Sequence, residues 1–255
     1  MDRLVSRFVT TRDARRNDFV FDLPECWWSR PYEYAWAAEF ADRDATVLDA
    51  ACGIEHPLKF HLARVCEACH ACDIDRSVLD QHEMRSLIQA GFGESSARRL
   101  FEPQAPAIRY SVASLTDLPW PDATFDRVFC ISVLEHLKDR FNKWPLLMHA
   151  RPFLPFVRED VFNSLVEFRR VLAPGGLIVL TFDVPRISLR YLCDAICRAG
   201  LRFASDVDFE RPAKAIYSAE HRLSCFRAVL CHEVTEPQLA PATIPEYDMP
   251  ASASA

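Results

Sequence analysis

Apolar positions along the chain fall into short runs separated by stretches with helical spacing. Four runs, at 46–50, 68–72, 126–132 and 176–182, each have the length of a strand buried on both faces. Strands alternating with helices predict βαβ units and a mainly parallel sheet, which binds ligands beyond the C-terminal ends of its strands. The same spacing predicts a helix over about 31–41, one from near Pro57, one over 161–172, and one over 187–199 closed by Gly200. Pro174-Gly175-Gly176 reads as a turn ahead of the 176–182 strand. LSCFRAVLCH, at 223–232, reads as a late, antiparallel strand.

Three segments break the rhythm. Residues 1–44 read as an N-terminal helical and aromatic cap. Arg3, Arg7, Arg12, Arg15 and Arg16 crowd its start, and Trp27, Trp28, Tyr32, Tyr34 and Trp36 follow. Residues 137–160 carry three prolines among many aliphatic and aromatic residues, which suits an inserted lid or an interface, a homodimer contact included. Residues 236–255 form a Pro/Ala/Ser-rich tail expected to be flexible. The domain proper is then 45–235.

Composition narrows the class. Half of the 255 residues are hydrophobic, which is too apolar for a disordered chain. No apolar run approaches the roughly 18 residues of a membrane span. The start, MDRLVSRFVTTRDARRND, has no signal-type apolar stretch, so the ten cysteines read as free thiols of a cytoplasmic protein. A net charge of −6 speaks against a chiefly nucleic-acid-binding role. Cys66, Cys69 and Cys72 have metal-like spacing, but strand alternation sends Cys69 and Cys72 to opposite faces, and no metal is expected. Six glycines are few for a protein built on glycine-dependent loops.

The candidate chemistry begins where the first strand, ending Val47-Leu48-Asp49, turns through Ala50-Ala51-Cys52-Gly53 into a helix. Such a crossing brings backbone N–H groups close to a ligand. The next strand ends Cys72-Asp73-Ile74-Asp75. An acid at that tip is placed to accept from two ribose hydroxyls.

Four blocks then carry a resemblance: VLDAACG, ACDIDRSVL, LTDLPWPDATFDRVFCISVLEHL and EFRRVLAPGGLIVLTF. In this order and spacing the chain resembles the class I S-adenosylmethionine-dependent methyltransferases over about 45–182. The resemblance implies a Rossmann-like seven-stranded, mostly parallel sheet with helices on both faces and an antiparallel last strand. It implies S-adenosyl-L-methionine as cofactor and S-adenosyl-L-homocysteine as product. It puts Asp49, Ala51 and Gly53 in the first loop, Asp73 on the ribose and Ile74 beside the adenine. Ser114 and Leu115 would flank the adenine, and Ile131, Ser132, Glu135 and His136 would follow the fourth strand. Three positions depart from the family pattern. Ala51 and Glu55 stand where loop glycines are usual, and Ser114 where an aspartate is common. A Cβ at 51 is tolerable if φ stays negative.

For the reaction itself, His136 is the general-base candidate, its alternative being a histidine that caps a helix or binds a carbonyl. Glu135 either orients the cofactor or holds structure. Trp28, Arg30, Tyr32 and Tyr34 would form an acceptor wall, with His149 reaching in from the insert; packing and salt bridging are the alternatives. The leading expectation is methyl transfer to an O, N or C atom of a small-molecule acceptor. The others are an RNA or protein methyltransferase docking through Arg3–Arg16, and a non-catalytic interaction protein on the same fold.

Overall fold

The computed structural model describes residues 2–101, 105–137 and 159–233. His149, most of the 137–160 insert and the 236–255 tail lie outside the described residues. In chain order the elements are β1 (Ser6–Phe8), β2 (Asp18–Phe19), β3 (Phe21–Asp22), α1 (Arg30–Ala37), β4 (Thr46–Ala50), α2 (Leu58–Val65), β5 (Ala68–Asp73), α3 (Gln81–Phe92) and α4 (Glu94–Leu100). They continue with β6 (Ile108–Val112), β7 (Phe125–Ile131), α5 (Glu159–Val171), β8 (Leu172–Val184), α6 (Leu189–Arg198), β9 (Leu201–Phe203), β10 (Val207–Asp208), β11 (Tyr217–Ser218) and β12 (Leu223–His232).

One mixed sheet runs β10-β1-β12-β8-β7-β4-β5-β6, with β9 and β11 also paired to β12. Strands β6, β5, β4, β7 and β8 are mutually parallel, and β12 returns antiparallel beside β8. Both faces of the centre are apolar because helices cover both. Leu48, Ala50, Val128 and Leu180 meet Leu165 and Phe168 of α5 and Leu192 and Ile196 of α6. Val47, Ala71, Phe129 and Val179 meet Tyr34 and Trp36 of α1, Leu58 and Leu62 of α2, and Met84 and Ile88 of α3. Alternation along β4 therefore turns Asp49, two residues after Val47, toward the α1–α2 side. Cys69 and Cys72 pack in opposite layers.

Three expectations change. Among the described residues the sheet has ten strands instead of seven. The N-terminal segment, read as a helical and aromatic cap, also supplies a strand: β1 inserts between β10 and β12, with Ser6 and Phe8 buried. Arg7 projects from β1 into a network with Asp2 (2.7 Å) and Asp13 (2.6 Å) that also binds Arg227 of β12. Arg3 donates to the Glu39 carbonyl at 2.7 Å, while Arg15 and Arg16 lie over the Tyr32 and Phe19 rings. Four of the five arginines are thus committed to their own fold. Third, Pro174-Gly175-Gly176 does not separate helix from strand. β8 begins at Leu172, and the register advances two residues on β7 against five on β8, so the turn residues form a bulge within the strand. Among the described residues, no helix is long and apolar enough to cross a membrane.

Candidate active site

A cleft of about 390 Å³ opens at the C-terminal ends of β4, β5 and β7, under α1. Asp49, Ala51, Gly53, Asp73, Ile74, Ser114, Leu115, Ile131 and Ser132, drawn from four separate sequence blocks, all line it. Arg30, Tyr34 and His136 line it too.

The first loop is the tightest part. Ala51 has φ +56° and Gly53 φ +58°. The expectation of a negative φ at Ala51 is therefore overturned: the alanine sits in the left-handed region, where a Cβ costs about 1–2 kcal/mol. At Gly53 a Cβ would also overlap the His56 ring. The Gly53 N–H donates to Asp73 Oδ2 at 2.9 Å, and the Asp75 N–H donates to Oδ1 at 3.0 Å. These two bonds fix the carboxylate at the strand tip and leave each oxygen a further lone pair for a ligand. Ile74, beside it, is 69% exposed, an apolar side chain left open at the cleft edge.

Asp49 is 4% exposed, and its Oδ2 has no hydrogen-bond partner. Burial pushes its carboxyl up to about 7, against the pull of the nearby Lys59 cation. Lys59, at the start of α2, is fully buried. Its Nζ donates to the Gly53 and His56 carbonyls at 2.7 Å each and to the Cys52 carbonyl at 3.4 Å. His56 Nδ1 lies 2.6 Å from the Tyr34 hydroxyl, and Trp27 stacks on the ring at 4.5 Å. Burial, helped by the Arg30 and Lys59 charges, holds His56 neutral, its pKa pushed down to about 3.

The opposite wall is built on Glu33, which is fully buried on α1. It accepts from Arg30 at 3.0 Å, from the Ser132 hydroxyl at 2.7 Å and from the Thr181 hydroxyl. Ser132, at φ +48°, also donates its N–H to the Thr181 hydroxyl at 3.0 Å. One carboxylate thereby joins α1, the loop after β7 and the strand β8. His136 sits on that loop, exposed. Burial of its inner edge and the Arg186 and Arg30 charges lower its pKa, which favours the neutral form.

Four candidates are placed elsewhere or fall outside the described residues. Glu135 does not line the cleft; its Oε1 accepts from the Asp183 N–H at 3.2 Å, and burial beside Asp183 and Glu33 pushes it up to about 8. Trp28 and Tyr32 pack against Val9, Ile216 and Cys225. On α1 the i, i+4 pair Arg30 and Tyr34 faces the cleft, and this turns Tyr32 away. His149 is outside the described residues. Sequence reasoning missed Glu33, His56 and Lys59. The one available signal was Lys59, a lysine inside the apolar helical run Leu58–Ala63.

Strand order, crossovers and cleft position define the class I S-adenosylmethionine-dependent methyltransferase fold. The family model described as "Methyltransferase domain" matches residues 48–144. Among solved structures, the [4+2]-cyclase SpnF is 15% identical, with 89% of this chain and 87% of that one covered and a TM-score of 0.53. A TehB-like S-adenosylmethionine-dependent methyltransferase from Corynebacterium glutamicum is 15% identical, with 79% and 87% covered and a TM-score of 0.49. An S-adenosylmethionine-dependent methyltransferase from Mesorhizobium loti is 13% identical, with 77% and 97% covered and a TM-score of 0.48. No curated protein matches the chain.

Proposed function

We propose that the chain is an S-adenosylmethionine-dependent methyltransferase acting on an O, N or C atom of a small-molecule acceptor. The observation that carries this is the pairing of two carboxylates in one cleft: Asp73, fixed at the strand tip with lone pairs to spare, and Asp49, buried with an unpartnered oxygen. A ligand with no donor at that end leaves Asp49 unsatisfied, whereas a ligand with both a ribose and an ammonium group answers both acids, the second by a charge-assisted bond. Bound S-adenosylmethionine supplies a methyl group already activated on a sulfonium.

The protein's part is alignment and proton handling. Asp73 accepts from the ribose hydroxyls. Asp49 takes the amino group of the amino-acid end. Ile74 and Leu115 cover the adenine, where Ser114 replaces a carboxylate with a hydroxyl already bonded to Thr116 at 2.9 Å. Arg30 offers its charge to a carboxylate or phosphate of the acceptor, and Tyr34 walls that side. His136, neutral and at the cleft edge, receives the acceptor proton. The inward commitment of Arg3, Arg7, Arg15 and Arg16 favours a small acceptor over an RNA docked on a basic arm.

A second reading rests on the likeness to SpnF, a [4+2]-cyclase: this cleft would then hold its cofactor without spending it. Calorimetry with S-adenosylhomocysteine tests the shared cofactor reading. Asp73→Ala is expected to weaken binding more than about tenfold, and an unchanged affinity would refute the ribose assignment. Release of S-adenosylhomocysteine during turnover separates methyl transfer from cyclisation.

A further inference from the structure

The glycine-poor first loop leaves a question of backbone chemistry. From Ala50 to Pro57 it has one glycine, yet it turns through two left-handed positions, 51 and 53, separated by one residue. The carbonyls of Cys52, Gly53 and His56 all converge on one atom, Lys59 Nζ, at 3.4, 2.7 and 2.7 Å. An ammonium has three donors and no acceptor, so Lys59 spends its whole capacity on this loop. Lys59 does not line the cleft and, among the described residues, makes no ion pair within 4 Å, although Asp49 and Asp73 are near enough to favour its charge. Burying an ammonium this completely carries a large desolvation penalty, which only well-formed charge-assisted bonds offset.

We propose that Lys59 is a positioning residue. Its buried ammonium gathers three loop carbonyls and so shapes the wall of the cleft that receives the amino-acid end of the cofactor. It does here with one internal cation what a loop richer in glycine does with its own backbone freedom. The proposal rests on the cofactor reading above. It bears mainly on one end of the ligand: Lys59 governs the first loop at Asp49, whereas Asp73, though it also accepts from the Gly53 N–H of that loop, is anchored as well by the Asp75 N–H beyond it.

Calorimetry on the full chain with S-adenosylhomocysteine and with adenosine tests it. Lys59→Met is expected to lower S-adenosylhomocysteine affinity about tenfold or more while adenosine affinity stays within about threefold. Equal losses for the two ligands, or no loss, would overturn the proposal. A wild-type chain that binds neither ligand overturns the cofactor reading itself, a different result. If Lys59→Met does not fold, ¹³C-lysine labelling of the wild-type chain, which has four lysines, serves instead. The Lys59 Cε resonance, assigned after substituting Lys138, Lys143 and Lys214, must move with S-adenosylhomocysteine and hold still with adenosine; no movement with the former overturns the proposal.

Discussion

On the proposed reading, Asp49 makes cofactor binding a proton-linked event. Burial raises its carboxyl from the ordinary 3.8 to about 7, and its Oδ2 has no hydrogen-bond partner, so on that reading the ligand ammonium goes to this carboxylate. Binding requires the ionised form. A group with pKa near 7 is about one-tenth ionised at pH 6 and about nine-tenths at pH 8, so S-adenosylhomocysteine affinity should rise roughly tenfold across that interval. At pH 6.5 binding should release about three-quarters of a proton, seen as a dependence of calorimetric enthalpy on the ionisation enthalpy of the buffer. Asp49→Asn should bind weakly and lose both effects. The unliganded protein should show the opposite trend. A carboxyl whose folded pKa is raised stabilises the fold fully below its unfolded value, and that contribution is lost as pH rises through the folded one. Asp183, pushed up to about 6, and Glu135, to about 8, act in the same direction, so unliganded stability should fall from pH 4 to 8. An affinity that does not change between pH 6 and 8, with no proton released, would refute the assignment of Asp49.

Two further perturbations probe the walls of the cleft. Ala51→Gly relieves a left-handed alanine and should stabilise the chain by about 1 kcal/mol, raising Tm by roughly 2–4 °C; a lower Tm by differential scanning fluorimetry would contradict the loop geometry. Glu33→Gln removes the charge opposite buried Arg30 and should destabilise by about 3 kcal/mol in urea unfolding, the low end for a broken buried pair because Arg30 keeps some solvent contact. A change below about 1 kcal/mol would mean that Glu33 does not hold the wall together.

The residues at the strand-tip side of the cleft were legible in the sequence because they sit at strand ends inside contiguous blocks, where a position in the block fixes a position in the fold. Asp49, Asp73 and Ser132 are of this kind. Glu33, Lys59 and His56 were not legible, since each gains its role from burial or from partners far along the chain. The Glu33 carboxylate meets Ser132 and Thr181, 99 and 148 residues away. β1 was hidden for another reason. It has three residues, its central arginine reads as a solvated charge, and its pairing partners lie some 200 residues downstream. The α1 wall was half legible: an aromatic run announces packing, but only helix phase decides that Tyr34 faces the cleft and Tyr32 does not.

The most direct test of the account is calorimetric titration of the full-length chain with S-adenosylhomocysteine at pH 8. The account predicts saturable binding at one site, weakened more than about tenfold by Asp73→Ala. No heat of binding at millimolar ligand, from a chain shown to be folded, would contradict it.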